Sequence, residues 1–269
     1  MVCGHRHCTA ARLGRSDLAI SEVLKELGKS PEDASLHAFL SIQLTKQERY
    51  ERAIESAEHA LGLDPECINA YYAASFAYFV RDEDDDELAE KILRAGLQVD
   101  PTDEDLLSLL IDIRLSLEWC ELALETAEHG LSLHPGSSDL RVGRAAALRD
   151  LDADPEVLLE ASKLALEKVP TDPTALICLF HAQSELEDWE AAESTMQSAL
   201  LANPDSADVL FVAAHYYADQ YQHDRAIALA QGALEQLPGN ASMSLLIIGT
   251  QILKGEWKLA EEAIESIDL

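Results

Sequence analysis

Seven prolines set a ruler along this chain. Pro31, Pro65, Pro101, Pro135, Pro170, Pro204 and Pro238 lie 34, 36, 34, 35, 34 and 34 residues apart. Twelve residues before most of them stands an alanine, at Ala19, Ala53, Ala89, Ala123, Ala192 and Ala226; Ala260 continues the series and only Leu158 breaks it. Two unrelated residue types keep one period. A unit of that length cannot bury its own apolar face, so copies must stack on their neighbours.

Each period reads as two helices. Leu36, Phe39, Leu40 and Leu44 fall at helical spacing between Ala34 and Lys46, and Ile54, Ala57 and Leu61 do so between Glu48 and Leu63. The break between them, Lys46-Gln-Glu48, is short and polar. The proline follows the second helix, where it cannot donate the bond that would prolong it. Acids such as Glu32, Asp33 and Asp103 gather where the next helix begins, as the helix dipole favours.

These residues resemble the tetratricopeptide repeat family, whose pattern has a period of about 34 residues. Its eighth, twentieth and twenty-seventh positions are small, so that the paired helices approach closely. Here the eighth is Ser41, Ser75, Ala145 and Ala214, with Ile111, Phe180 and Ile248 departing from it. The twenty-seventh is Ala60, Gly96, Gly130, Ala165, Ala199 and Ala233. Tyr50, Trp189 and Trp257 supply the bulky residue near the start of the second helix. The resemblance implies an all-α fold, a right-handed α-solenoid of about eight stacked antiparallel helix pairs. It covers nearly the whole chain as one domain, with repeats at 1–33, 34–67, 68–103, 104–137, 138–172, 173–206, 207–240 and 241–269. The fifth is the least regular, with Arg144, Leu158, Pro155 and Pro173 off pattern, and a change of pitch is expected there. The first is poor in apolar residues, so fraying of its first helix is expected. The third carries a two-residue insertion within 82–87 that lengthens its inner turn.

Charge narrows the function. Fifty acids against 20 bases give a net charge of −30, which repels phosphates and anionic lipids and leaves no basic patch for nucleic acid. No apolar run is long enough to span a bilayer, and the first residues contain no secretory h-region. Five scattered cysteines do not form a disulfide framework and suit a reducing compartment, so a cytoplasmic location is expected. The sequon Asn240-Ala-Ser242 matters only in a secreted chain. Acidity with few lysines, 8 against 12 arginines, also fits adaptation to high salt, in which case the charge says nothing of a partner.

No enzyme signature is present: no nucleophile elbow, P-loop, dinucleotide fingerprint or zinc-protease motif. No catalytic residue, cofactor or metal is therefore expected. Cys3, His5, His7 and Cys8 are soft ligands, but they crowd into six residues and do not form two separated pairs. A calcium loop starting at Asp82 needs glycine sixth and glutamate twelfth and meets Glu87 and Leu93 instead; the run reads as a solvated turn.

The resemblance further implies a concave groove lined by each first helix at its second, fifth, ninth, twelfth and thirteenth positions, a surface that takes extended peptides. In the third repeat these are Asn69, Tyr72, Phe76, Phe79 and Val80. Either this aromatic stripe forms an apolar pocket or it wedges between neighbouring repeats. Asp105, Asp112, Asp139 and Asp150 follow in the fourth and fifth repeats, Ile177 and His181 in the sixth, and Asp208, Phe211, His215 and Asp219 in the seventh. The carboxylate clamp known in this family needs lysine, arginine and asparagine at positions that here hold Ala38, Ile42, Tyr72 and Phe76, which speaks against it. The expected function is a non-catalytic interaction scaffold or adaptor that holds a protein segment with apolar anchors and basic residues. One alternative is a structural subunit that forms a homo-oligomer or larger complex through its apolar last repeat (Leu245, Leu246, Ile247, Ile248, Ile252, Leu253, Ile264, Ile267, Leu269). The other is an enzyme with an unrecognised site.

Overall fold

A computed structural model describes residues 13–265. The first helix of the first repeat and the Cys3–Cys8 ligand group lie outside the described residues, as do Ile267 and Leu269. Among the described residues there are 15 α-helices and no strand. They are α1 (Leu13–Leu27), α2 (Ala34–Thr45), α3 (Tyr50–Leu63), α4 (Ile68–Arg81), α5 (Asp86–Val99), α6 (Glu104–Ser116), α7 (Cys120–Leu133) and α8 (Ser138–Asp150) in a first compact unit, which extends to Asp152. The second unit, from Ala153 on, holds α9 (Pro155–Leu166), α10 (Pro173–Glu185), α11 (Trp189–Ala202), α12 (Ala207–Asp219), α13 (His223–Gln236), α14 (Ala241–Leu253) and α15 (Trp257–Glu265). The boundary falls inside the irregular fifth repeat.

Within each unit the packing repeats. In the first, α2 packs on α3 and α4, α4 on α5 and α6, and α6 on α7 and α8; in the second, α10 packs on α11 and α12, and α12 on α13 and α14. Each of these five first helices, α2, α4, α6, α10 and α12, thus touches its own partner and the first helix of the next repeat. The alanines of the ruler make this possible. Ala53, Ala89, Ala123, Ala192 and Ala226 are fully buried, and Leu158 is buried too. A Cβ added at Gly96 would lie 2.8 Å from Tyr71 Cβ, and one at Gly130 would lie 2.9 Å from Leu140 Cδ1. Gly62, near the end of α3, has open space instead.

Polar groups fix the helix starts. Asp33, Asp103, Ser137, Asp172, Ser206 and Asn240 each accept a backbone N–H from inside the first helix they precede, an interaction that contributes about 1 kcal/mol per cap. The sequon asparagine is therefore a helix cap. The proline carbonyls are used as well. Tyr71 Oη donates to Pro65 O at 2.9 Å and Arg141 Nη2 to Pro135 O at 3.1 Å, while His37 Nε2 lies 2.8 Å from Pro31 O.

The inner turns share a backbone device that the side chains do not announce. Glu48, Glu118, Asp152, Glu187, Tyr221 and Gly255 all have positive φ at the fifteenth position of their repeats. In five of these turns two bonds close the helix end, as at Glu118 N to Leu115 O (3.1 Å) and Trp119 N to Arg114 O (2.8 Å), the pattern of a left-handed C-cap. The third repeat substitutes a 3-10 turn, Glu83–Asp85.

Candidate functional site

The face formed by α4, α6 and α8 is built from the composition of α4. Ala70, Ala73, Ala74 and Ala77 are buried and let neighbouring helices close in, so the large rings fall on the remaining sides. Tyr72 and Phe76, one turn apart, are half-buried with ring centroids 5.9 Å apart and planes 20° from parallel. Phe79 departs from the sequence expectation. It is 5% exposed and packs with Leu106, Leu109, Leu110 and Ile113 of α6, so the stripe does wedge between repeats at its C-terminal end. A ring so covered presents nothing to a partner. Asn69 is exposed at the start of α4.

Three carboxylates act on the Tyr72 hydroxyl. Burial first, and then the charges of Asp105, Asp112 and Asp139, push the Tyr72 hydroxyl up to about 12. Asp105 and Asp112 are seven residues apart on α6, which puts them on one face about 10 Å apart along the axis. Asp105 itself is held above the usual carboxylate range by burial and by Asp103, Glu104 and Asp139. Asp150 is engaged elsewhere, with its Oδ1 2.7 Å from Arg149 Nη2.

In the second unit, the remaining residues expected from sequence form pairs along α10 and α12. Phe211 and His215 have ring centroids 4.8 Å apart, and His181 sits edge-on to Phe180 at 5.6 Å. Partial desolvation lowers the His215 imidazole below its ordinary value, and Asp219 opposes that shift. Asp208 is half-buried and Asp219 exposed. Ile177 is buried and lines no surface.

The acidic run near residue 82 is only partly a solvated turn. Asp85 pairs with Arg81 at 2.6 Å, and Asp86, 2% exposed, accepts from Ser116 Oγ at 2.6 Å. A second polar link lies beside it. Arg114 Nη2 donates to Glu90 Oε1 at 3.0 Å, and Arg114 Nη1 donates to Leu122 O at 3.2 Å and to Thr126 Oγ1. The bonds to Glu90 and Asp86 tie the third repeat to the fourth. Among the described residues no group of three or more His, Cys, Asp or Glu could hold a metal ion. No described helix is long and apolar enough to cross a membrane.

The last repeat exposes much of its apolar surface. Leu245, Leu253 and Trp257 are 63%, 73% and 66% exposed, and Leu259 and Ile264 about half. Trp189, the bulky residue near the start of the second helix of its repeat, is also more than half exposed.

Neither a family model nor a curated protein matches the sequence. Solved structures do match. A tetratricopeptide repeat protein from Parabacteroides merdae aligns over 90% of this chain and 94% of its own, with 15% identity and a TM-score of 0.71. Cut9, in the Cut9–Hcn1 hetero-tetramer of APC/C, aligns over 88% of this chain with 16% identity and a TM-score of 0.73; this chain spans about half its length (46%). Human IFIT1, solved as a dimer with PPP-AAAA, aligns over 93% of this chain and 67% of its own, with 16% identity and a TM-score of 0.65. At these identities the likeness carries the fold, and the fold is that of the tetratricopeptide repeat.

Proposed function

We propose that this chain is a non-catalytic scaffold, a single array of repeats, that holds a segment of another protein on the face formed by α4, α6 and α8. The observation that carries this reading is the half-exposed Tyr72–Phe76 pair set among Asp105, Asp112 and Asp139. Half-buried aromatics supply apolar contact at low entropic cost, and a ring of carboxylates selects a positively charged partner. The tetratricopeptide repeat fold supports an interaction scaffold in general, and Cut9 is seen with a protein bound. IFIT1 is seen with an RNA, but a net charge of −30 argues against an anionic partner here.

The test is selection of a displayed random peptide library on the full chain, repeated on Phe76→Ser. Enriched sequences that combine basic and apolar residues, and bind the variant at least about tenfold more weakly, support the reading. Enrichment that is indifferent to the variant, with its helical signal intact, contradicts it.

A second reading rests on the exposed Leu245, Leu253 and Trp257, which would seat a second copy of the chain. Sedimentation of the intact chain against Leu253→Glu tests it: a concentration-dependent dimer lost in the variant supports assembly, and a monomer at every concentration excludes self-association.

A further inference from the structure

We infer that the basic residue taken up beside Tyr72 is an arginine in preference to a lysine. This rests on the binding face proposed above and adds the chemistry of its ligand.

The chain supplies its own template for an aromatic ring beside a carboxylate. In the seventh repeat the Arg225 guanidinium carbon lies 3.6 Å from the centroid of the Tyr217 ring, and Arg225 Nη1 lies 3.9 Å from Glu193 Oε1. The same Glu193 oxygen accepts from Tyr217 Oη at 3.1 Å. In the third repeat Arg81 lies 5.0 Å from the Tyr78 centroid while its Nε and Nη2 both reach Asp85 Oδ2, at 2.8 and 2.6 Å. In both places a tyrosine beside an acid is covered by a guanidinium. Lys254, by contrast, takes two acids, Asp224 at 2.6 Å and Glu256 at 2.7 Å.

Tyr72 offers the same two elements to a visitor. Its ring runs nearly parallel to that of Phe76, and the charges of Asp105 and Asp112 on α6 and Asp139 on α8 act on its hydroxyl. A planar guanidinium can lie on a ring face and turn its N–H edge to a carboxylate at once, whereas an ammonium is a compact point charge that cannot do both. The site is also half-buried. Guanidinium is the more weakly hydrated cation, so it gives up water there at lower cost. Like-charge crowding among Asp105, Asp103, Glu104 and Asp139 adds a gain on binding any cation, and this part does not discriminate.

Three synthetic peptides test the inference on the full chain by calorimetry: Gly-Arg-Leu-Gly-Arg-Leu-Gly, its lysine analogue and its glutamine analogue, all capped at both ends. The arginine peptide is expected to bind about tenfold more tightly than the lysine peptide, and the glutamine peptide more weakly than either. Tyr72→Phe should keep the preference, while Tyr72→Leu and Asp139→Asn should shrink it; Asp139 is exposed, so its replacement leaves the fold intact. Equal affinity for the two basic peptides, both weakened by Phe76→Ser, overturns the arginine preference and leaves the binding face standing. An arginine preference that survives Tyr72→Leu undiminished overturns the assignment to this ring. No binding of the arginine peptide overturns the inference outright, and the library selection then decides separately whether the face binds anything.

Discussion

Gly143 of α8 stands where Ile111 of α6 needs room. A Cβ at 143 would lie 2.8 Å from Ile111 Cγ2. Ile111 occupies the eighth position of its repeat, where the family pattern calls for a small residue, and it is 1% exposed. The excess volume in one repeat is thus accommodated by a missing side chain in the next. Glycine inside a helix is otherwise unfavourable by about 0.5–1 kcal/mol relative to alanine, so close packing outweighs propensity here.

Gly143→Ala should accordingly destabilise the chain, by about 1–2 kcal/mol in urea unfolding, because the stiff β-branched Ile111 cannot yield. Combining it with Ile111→Ala should cost less than the two single changes added together. Strict additivity, or a stabilising Gly143→Ala, would contradict the packing argument.

The inner turns predict the opposite sign for another glycine. Glu118 has φ of +59° and Glu187 of +58°, a region that is unfavourable for an L side chain by about 1 kcal/mol or more. Glu118→Gly should therefore raise stability by a few tenths to about 1 kcal/mol despite the added freedom of the unfolded chain. Gly255→Ala, at φ of +77°, should lower it by a similar amount. A loss of stability in Glu118→Gly counts against the strain reading.

Arg114 and Glu90 form an ion pair at 3.0 Å with both side chains mostly buried. Removing the arginine alone, as in Arg114→Met, leaves the buried Glu90 carboxylate with only the exposed Arg94, 3.9 Å away, and should cost roughly 3 kcal/mol. Adding Glu90→Gln should recover much of that loss. A double variant no better than the single one would show that the carboxylate is not the source of the cost.

Legibility from sequence divides along physical lines. The prolines and alanines of the repeat are visible because each answers a constraint inside its own unit, a helix stop or a helix–helix contact. Gly143 is not, since its reason lies in a residue 32 positions earlier. Glu48 and Tyr221 gave no sign of their left-handed backbone because the turn imposes it on whatever residue stands there. At the candidate face, Tyr72 and Phe76 were legible as one stripe. Helical spacing alone could not tell which of its rings neighbouring helix α6 would cover, and Phe79 went to the core. Asp86 misled in the same way: it lies in an acidic run, and its partner Ser116 is 30 residues away.

Two carboxylates should titrate with opposite effects. Asp105 has a raised pKa in the folded chain, so its contribution favours folding when protonated and is lost as pH rises through its folded-state range. Asp105→Asn should stabilise the chain at pH 7, with the gain fading as pH falls to where the wild-type group is protonated in both states. Burial acts against ionisation of Glu193, but hydrogen bonds from Gln197, Tyr216 and Tyr217 and the charge of Arg225 hold it below its ordinary value. Its contribution is present above the unfolded pKa and lost as pH falls through the folded one. Glu193→Gln should therefore destabilise at pH 7 and matter less in acid. Urea midpoints at pH 7 and in acid, for both variants, check the two signs together.

The most direct test of the binding face is residue-level mapping by NMR, with a selected peptide titrated into the labelled chain at low and at about 0.5 M salt. Shifts clustered on Tyr72, Phe76, Asp105 and Asp139, with affinity falling as salt screens the carboxylates, are the expected result. Shifts confined to Leu245, Leu253 and Trp257, indifferent to salt, would contradict the account and move the partner to the last repeat.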